Sequence, residues 1–226
     1  MIITIDGPTA SGKSTLGRLL AEELSFYYLN SGALFRAVAY LLLEKSNYTL
    51  DDMHNPKPED IDLYLDLSRL VYKYDAKNNE QVIFDSVDIW PLLKSSLLDQ
   101  AASILSTNVY LREALLKAQR IIAEKNDVVV DGRDSGSVVF PHAQVKFFLT
   151  ASLEERAKRW RHLQAERGND FTLEEAIVKV SERDKRDKER KFSPLIVPEN
   201  AVNIDSSHMS INQVLDKMLE IVEQQK

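Results

Sequence analysis

An eight-residue glycine-containing segment follows the first apolar run of the chain, and few folds can accommodate it. The segment fits the pattern G-x-x-x-x-G-K-[ST] and reads Gly7-Pro8-Thr9-Ala10-Ser11-Gly12-Lys13-Ser14. Its glycines let successive backbone N–H groups point toward a phosphate, and the N-terminus of the helix that follows adds about half a positive charge. In this pattern the lysine reaches the β- and γ-phosphates and the last hydroxyl binds Mg²⁺. We therefore predict a nucleoside triphosphate site that extends from Gly7 to Thr15, with Lys13 on the phosphates and Ser14 on the metal.

Five short apolar runs with little alternation predict the strands of a parallel sheet that helices cover on both faces. They span residues 1–5, 26–29, 128–131, 145–149 and 202–204. Amphipathic helical patterns lie at about 13–24, 32–45, 110–124, 152–167, 173–190 and 210–224. This alternation predicts an α/β, doubly wound fold of the P-loop NTPase type. In the last helix we expect Ser210 as the N-cap and a core-facing stripe made of Ile211, Val214, Leu215, Met218 and Leu219.

Residues 56–95 depart from this alternation. Pro56 and Pro58 mark a break, and two apolar runs at 70–74 and 82–85 flank the turn-rich residues 75–79. The pattern predicts a β-hairpin with a loop longer than two residues, followed by a helix from about Leu92 to Leu105. We therefore predict a small inserted subdomain at 56–95 within a single domain that covers 1–226.

The composition excludes several kinds of site. The absence of cysteine rules out a disulfide framework, a cysteine-ligated zinc site and a thiol nucleophile. The net charge is −6, but the twelve basic and eight acidic residues between 156 and 191 give that segment +4 and leave −10 elsewhere. An acidic chain is a poor binder of nucleic acid, and its one basic segment indicates either a small anionic ligand or a salt-bridged, solvated helix, which composition alone favours. Because no apolar run approaches the ~20 residues of a membrane span and the first residues do not resemble a signal peptide, we expect a cytoplasmic protein without a membrane partner. We also expect a monomer.

Three classes of protein use this phosphate motif in different ways. A small kinase passes the γ-phosphoryl group to an acceptor, a GTP switch binds and releases partners, and an ATP-driven mechanical or transport subunit moves them. A GTP switch needs an N-K-x-D segment to read the base, and no Asn-Lys pair occurs in the chain. Mechanical and transport subunits are usually larger or carry docking elements, so the sequence favours a small kinase.

A kinase must hold its acceptor in line with the γ-phosphate, and an acceptor that is itself a phosphate requires several arginines. Suitable groups follow the predicted strands, where a parallel sheet places its sites. Ser31 and Arg36 follow the second strand, and Arg133 follows the third between two aspartates. Further along, Arg183, Asp187 and Arg190 share one helical face.

With these segments in view, the sequence resembles the bacterial-type cytidylate kinases over nearly its whole length. The most distinctive segment, D-G-R-D-x-G-x-V-V-F-P, runs from Asp131 to Pro141, and it is followed by E-R-D-x-x-D from Glu182 to Asp187. The opening Ile5-Asp6-Gly7-Pro8 and the segment from Asn30 to Arg36 also match. The resemblance implies that the chain transfers the γ-phosphoryl group of ATP to CMP or dCMP with Mg²⁺. The alternative is another small P-loop kinase with a different acceptor.

The resemblance also implies a role for each matching residue. Ser31, Arg36 and Arg133 match positions that hold the CMP phosphate, and Asp187 matches the ribose position. Ser103, Arg112 and Asp134 match the cytosine contacts, while Arg183 and Arg190 reach the phosphates or the base. A lid at 155–170 would carry Arg156, Arg159 or Arg161 into the site. The expected catalytic residues are thus Lys13, Arg133, Arg159 and Arg183.

Three positions depart from the family pattern. Asn30 stands where an Asp is usual, Phe35 where a Tyr is common, and Lys94 where an Arg is usual near the end of the insert. Because an amide is a poorer partner of a metal shell than a carboxylate, Asn30 is not among the expected metal ligands. A lysine presents a single charged point and cannot reproduce a guanidinium fork at position 94.

Overall fold

A computed structural model describes residues 1–75 and 79–225. The strands, in chain order, are β1 (Ile2–Asp6), β2 (Tyr27–Asn30), β3 (Leu70–Asp75), β4 (Asn79–Phe84), β5 (Val87–Asp88), β6 (Val128–Gly132), β7 (Val145–Thr150) and β8 (Val202–Asp205). The helices are α1 (Lys13–Leu24), α2 (Ser31–Ser46), α3 (Pro58–Tyr64), α4 (Ser96–Leu105), α5 (Val109–Ala123), α6 (Leu153–Glu166), α7 (Leu173–Glu189) and α8 (Ile211–Glu223). The chain divides into a first unit, Met1–Leu29 with Asn126–Lys226, and a second unit, Asn30–Lys125.

The main sheet has five strands in the order β2-β6-β1-β7-β8. The central strand β1 pairs in parallel with β6 on one side and β7 on the other, and β7 pairs in parallel with β8. Ile3, Ile5, Val129 and Phe147 on these strands are fully buried, as expected for a sheet covered on both faces. The predicted α/β fold and all five predicted strands are confirmed, and each strand ends one residue later than predicted.

Short polar side chains cap three helices of the first unit, α6, α7 and α8. Ser152 accepts a hydrogen bond from the backbone N–H of Glu155 at the start of α6. Thr172 with Glu175 forms a capping box on α7, and Ser210 with Gln213 forms another on α8. The expected N-cap at Ser210 is therefore confirmed.

The apolar stripe of α8 is confirmed except at its first residue. Val214, Leu215 and Met218 are buried and Leu219 is half-buried, but Ile211 is 53% exposed. Ile211 is the first residue of the helix, one position after the cap, and it lies beyond the part of the helix that packs on the unit. The predicted burial of Ile211 is therefore wrong.

The second unit contains an antiparallel sheet in the order β3-β4-β5. Leu70 on β3 pairs with Phe84 on β4, and the pairing continues to Asp75 and Asn79. The predicted hairpin is confirmed, with the short β5 as a third strand that the sequence did not indicate. The centre of the predicted turn, residues 76–78, lies outside the described residues.

Helix boundaries in the second unit differ from the predictions in two places. The helix predicted from Leu92 begins only at Ser96, because Ser95 adopts an extended conformation and its side chain accepts from the N–H of Leu98. A separate 3₁₀ turn covers Trp90–Leu93 before it. Helix α3 was not predicted, although Pro58 at its first position with Glu59 and Asp60 behind it is a typical helix start.

Among residues 1–75 and 79–225, no helix combines the length and the apolar character that crossing a membrane would require.

Candidate functional site

The segment between β1 and α1, here called the phosphate loop (Gly7–Ser14), has a backbone that needs glycine at two positions. Gly7 has φ 154° and Gly12 has φ 99°. A Cβ on Gly7 would overlap the backbone carbonyl oxygen of Leu149 at the end of β7 and would lie 3.0 Å from its carbonyl carbon. The close approach of the two strand ends therefore excludes any side chain at position 7.

Lys13, the expected phosphate ligand, is buried and bound to its own loop. Its Nζ donates to the carbonyl oxygen of Pro8 at 2.6 Å and to Oγ of Ser11 at 3.2 Å. Burial, together with the positive charge of Arg133, lowers the pKa of Lys13 well below its ordinary value. The positive charges of Lys13 and Arg133 thus repel each other, and a bound phosphate would reduce this repulsion.

Ser14 and Asp131 form the part of the site that suits a metal ion. Ser14 Oγ donates to Oδ2 of Asp131 at 2.7 Å, and the hydroxyl of Tyr28 donates to Oδ1 at 3.0 Å. No group of three or more His, Cys, Asp or Glu side chains suitable for a metal occurs within the described ranges. A hydroxyl beside one carboxylate fits Mg²⁺, which keeps several waters and takes its other ligands from substrate phosphates. Asp131 was not among the metal residues expected from the sequence, although it ends the strand beside the phosphate loop.

A buried ion pair holds the middle of the phosphate loop. Asp184 on α7 accepts from the backbone N–H of Thr9 at 2.9 Å and pairs with Arg156 on α6. Arg156 also donates to the carbonyl oxygen of Thr9 at 3.1 Å. Both backbone groups of Thr9 are therefore bound, so Arg156, named as a lid candidate, here supports the loop. Asp184 was not predicted, because its partner Thr9 is distant in sequence.

The first carboxylate of the unit, Asp6, fixes the turn after β6. It accepts from the backbone N–H groups of Ser135 and Gly136 at 2.8 and 2.6 Å. These residues open a single π-helical turn over Ser135–Val139, a distortion that often marks functional sites. Burial raises the pKa of Asp6 to about 6, although the two N–H groups act in the opposite direction.

Arg133 connects the phosphate loop with α7. Its Nε donates to Asp187 Oδ2 at 2.8 Å, and one terminal nitrogen lies 3.4 Å from Thr9 Oγ1. Burial acts to lower the pKa of Arg133, but the carboxylates of Asp187, Asp131 and Asp184 together outweigh burial and raise it. The guanidinium therefore stays charged beside the loop.

Asp187 lies among three arginines. Arg190 approaches its Oδ1 at 3.6 Å and also approaches Asp134 Oδ1 at 3.7 Å. Burial alone would raise the pKa of Asp187, but Arg133, Arg183 and Arg190 together lower it below its ordinary value. The structure therefore brings together the five residues predicted here, namely Arg133, Asp134, Arg183, Asp187 and Arg190.

The two remaining lid candidates differ in their surroundings. Arg159 donates to the carbonyl oxygen and Oγ of Ser206 at 2.8 and 3.0 Å, and one of its terminal nitrogens lies 3.4 Å from the carbonyl oxygen of Ser11. Arg161 is exposed. Of the two, Arg159 is the one that contacts the phosphate loop.

In the second unit, Ser31 and Arg36 lie in the first turns of α2. Asn30 caps this helix, since its Oδ1 accepts from the N–H of Ala33 at 3.1 Å. Ser31 is buried, and Arg36 lies 3.6 Å from Asp99 on α4. The start of α2 thus presents a hydroxyl, a guanidinium and a helix N-terminus, all of which suit an anion.

Ser103 and Arg112 lie on α4 and α5 and meet through Ser106. Arg112 donates to the carbonyl oxygen of Ser106 at 3.0 Å, and Ser106 Oγ donates to the carbonyl oxygen of Ser103 at 2.9 Å. The guanidinium carbon of Arg112 lies 5.5 Å from the centre of the Phe35 ring. Phe35 therefore supports Arg112 through its ring face, a contact that needs no hydroxyl. Lys94 lies similarly over Trp90, at 5.2 Å.

Comparison with known proteins gives the family of the chain. The family model described as Cytidylate kinase matches residues 3–224. The chain is 38% identical to the cytidylate kinase of Bacillus subtilis over 227 residues, covering 98% of this chain and 96% of that protein. It is also 38% identical to the cytidylate kinase of Caldanaerobacter subterraneus, covering 97% and 93%.

A solved structure supports the fold alone. It is an uncharacterized protein from Eubacterium ventriosum with a TM-score of 0.52 and 13% identity, covering 99% of this chain and 98% of that one. Because the family match spans almost all of the residues and the bacterial relatives are similar over nearly their full length, the chain belongs to the cytidylate kinase family.

Proposed function

We propose that this chain transfers the γ-phosphoryl group of ATP to CMP or dCMP and releases ADP with CDP or dCDP. The observation that carries the proposal is the position of Arg133. Its guanidinium contacts the phosphate loop through Thr9 and a buried carboxylate through Asp187. A fixed cation beside the loop neutralises charge as two phosphates approach each other, which is the main requirement of phosphoryl transfer.

The nucleoside triphosphate occupies the phosphate loop, Gly7–Ser14, with Thr15 behind it. Its phosphate oxygens replace Pro8 and Ser11 as the partners of Lys13. Ser14 and Asp131 would hold Mg²⁺, which supplies charge neutralisation between the phosphates when it is bound. We assign Arg183 to the phosphates as a further cation of the first unit.

We assign the acceptor phosphate to Arg133, Ser31 and Arg36, because these residues match the family positions that hold it. A monophosphate carries about two negative charges near neutral pH, and guanidinium groups bind such oxygens in pairs. The acceptor oxygen is already anionic, so no general base is needed. These residues therefore contribute position and charge.

Cytosine is selected by a carboxylate. Asp134 accepts from the exocyclic amine of cytosine and would repel the carbonyl oxygen that uracil has at the same place. Arg190 lies 3.7 Å from Asp134 and balances its charge. Ser103 and Arg112 supply the remaining base contacts, and Asp187 binds the ribose. A site whose polar groups are left unpaired by the wrong base rejects that base strongly.

The insert at 56–95 and the lid at 155–170 serve the acceptor and the donor respectively. Arg159 belongs to the lid and contacts Ser11 of the phosphate loop. A lid that closes over the phosphates excludes water, which would otherwise compete with CMP as the acceptor.

A panel of four nucleoside monophosphates tests this function. The purified protein is mixed with ATP, Mg²⁺ and CMP, dCMP, UMP or AMP, and ADP release is followed in a coupled assay. We expect kcat/KM for CMP and dCMP to exceed that for UMP and AMP by about a hundredfold or more, because the wrong base leaves buried polar groups unpaired.

Two results would contradict the proposal in different ways. A preference for UMP or AMP would show that Asp134 does not read an amine. Slow ADP release that no monophosphate accelerates would exclude all four as acceptors and favour another small P-loop kinase.

A further inference from the structure

Three residues of the second unit form a closed ring of hydrogen bonds. The backbone N–H of Asn30 donates to the hydroxyl oxygen of Tyr72 at 3.2 Å, and this hydroxyl donates to Glu80 Oε1 at 3.2 Å. The side-chain Nδ2 of Asn30 donates to the same Glu80 oxygen at 3.0 Å. The ring therefore connects the residue before α2 to both long strands of the antiparallel sheet.

The ring is buried, so each of its polar groups needs a hydrogen-bond partner. Asn30 and Tyr72 are each 6% exposed and Glu80 is 2% exposed. A buried carboxylate is tolerated when it accepts hydrogen bonds, and removing a donor leaves it with a large desolvation cost. Glu80 is therefore expected to fix the direction of the Asn30 amide strongly.

The other end of the same amide controls the start of α2. Asn30 Oδ1 accepts from the N–H of Ala33 at 3.1 Å, so the oxygen caps the helix while the nitrogen binds Glu80. One side chain thus needs an acceptor at one atom and a donor at the other, and an amide provides both. An aspartate at position 30 could cap the helix, but it would bring two carboxylates into contact in a buried place.

Gly32 lies close to both the ring and Arg36. A Cβ on Gly32 would lie 3.3 Å from Asn30 Oδ1 and 3.5 Å from a terminal nitrogen of Arg36. The Asn30 amide and the Arg36 guanidinium therefore both lie next to the space that a glycine leaves open. A rotation of the amide would change the packing around the guanidinium.

We propose that Glu80 and Tyr72 are positioning residues for the acceptor nucleotide. Acting through Asn30, they fix the first turn of α2 and so the Ser31 hydroxyl and the Arg36 guanidinium. Neither residue touches the substrate itself. The inference rests on the proposed function, because it assigns the acceptor phosphate to Ser31 and Arg36.

An exchange of partners tests the inference. The variants are Asn30→Asp, Glu80→Gln, and the double variant that carries both changes. Asn30→Asp alone places two acceptors together, whereas the double variant restores one donor and one acceptor with the polarity reversed. Tyr72→Phe is a milder variant that keeps the ring's size and removes only the hydroxyl.

We expect Asn30→Asp to raise the KM for CMP about tenfold, since an unpaired buried charge is costly, and Tyr72→Phe to raise it about threefold. The double variant should return to within about threefold of the wild-type KM, because directly contacting residues are strongly coupled. The KM for ATP should stay within about twofold of wild type throughout, because the ring belongs to the acceptor side.

Asp85→Asn is the matched control. It breaks an exposed ion pair with Arg69, whose Nε lies 2.7 Å from Asp85 Oδ1, next to the ends of β3 and β4 and outside the ring. We expect no change in the KM for CMP. Equal changes in both KM values, or lower thermal stability with an unchanged KM for CMP, would reduce the ring to a structural role and overturn the inference.

The inference and the proposed function fail in distinguishable ways. If wild-type protein phosphorylates CMP but Asn30→Asp and Tyr72→Phe behave like wild type, the inference alone is wrong. If wild-type protein does not phosphorylate CMP, the proposed function is wrong. In that case, hydrogen exchange of the backbone amides of residues 31–36 tests the role of the ring. If Glu80→Ala exchanges these amides at the wild-type rate, the ring does not fix the start of α2 and the inference is wrong.

Discussion

Gly7 in the first unit and Gly32 in the second unit both lie where a phosphate is proposed to bind, and each lacks a Cβ for a different reason. At Gly7 the missing atom would overlap a backbone carbonyl oxygen of Leu149, which cannot move without shifting β7. At Gly32 the nearest atoms, 3.3 and 3.5 Å away, belong to the side chains of Asn30 and Arg36. The first unit therefore shapes its site with the main chain, and the second unit shapes its own with side chains.

The arginines of the two units differ in how closely a carboxylate holds them. Arg133 has its Nε 2.8 Å from Asp187, and that carboxylate is itself surrounded by further arginines. Arg36 lies 3.6 Å from Asp99, a longer contact than a hydrogen-bonded ion pair. We infer that the guanidinium of Arg133 is held firmly in one position, whereas that of Arg36 can adjust.

Replacing Gly7 should have the largest effect. Gly7→Ala puts a Cβ into the Leu149 carbonyl, so the phosphate loop must move away from β7. We expect kcat/KM for ATP to fall by about a thousandfold, because misplacing the phosphates removes most of the positioning that catalysis depends on. Steady-state kinetics with varied ATP and fluorescence titration with a nucleotide analogue measure the loss.

Gly32→Ala is the matched substitution in the second unit. Side chains can yield by a few tenths of an ångström, so we expect only about a threefold rise in the KM for CMP and an unchanged KM for ATP. If Gly7→Ala were as mild as Gly32→Ala, the contrast between a main-chain site and a side-chain site would be lost.

Removing Arg133 should have the next largest effect. Arg133→Ala deletes a cation beside the acceptor phosphate and exposes Asp187 to repulsion by that phosphate. We expect kcat/KM for CMP to fall by more than about tenfold while the affinity for ATP stays near wild type, because the interaction develops with the transferring group.

One result would contradict the prediction for Arg133. A comparable loss of ATP affinity, measured by calorimetry without CMP, would show that this arginine serves the donor. The assignment of Arg133 to the acceptor phosphate would then be wrong.

The smallest effect should come from the titration of Asp6. Its pKa in the folded protein is about 6 and its ordinary value is 3.8, so between these values the folded protein holds a proton that the unfolded chain has released. The contribution of Asp6 to stability is therefore present at low pH and is lost as pH rises through 6. Between about pH 5 and pH 7 this loss amounts to about 1 kcal/mol.

Urea unfolding of wild type and Asp6→Asn across that range measures the loss. The difference in unfolding free energy between the two proteins should change by that amount, to the disadvantage of wild type at higher pH. Parallel stability curves would show that Asp6 does not carry a raised pKa in the folded state.

Local chemistry made much of the first unit predictable. The phosphate motif requires a strand before it and a helix after it, and the five apolar runs define the sheet with an error of one residue at each strand end. Ile211 was misplaced because periodicity assigns a face to a residue and does not show how far along a helix the packing extends.

Contacts between distant residues were the part that the sequence did not reveal. Asp184 binds Thr9, 175 positions away, and Glu80 binds Asn30, 50 positions away. One signal was available for Glu80, because it shares a strand face with Val82 and Phe84, which are both buried. A charged residue at a core position of a strand indicates a buried partner, but the partner's identity follows only from the fold.

The two bonds that Lys13 makes within its own loop have a consequence for nucleotide loading. The ammonium group has two oxygen partners within the loop, the carbonyl of Pro8 and the hydroxyl of Ser11. An arriving triphosphate exchanges these neutral oxygens for charged ones, so the number of bonds to the ammonium need not change while their strength increases. Discrimination between a phosphate chain and an uncharged molecule of similar shape should therefore arise from charge, with little contribution from the count of hydrogen bonds.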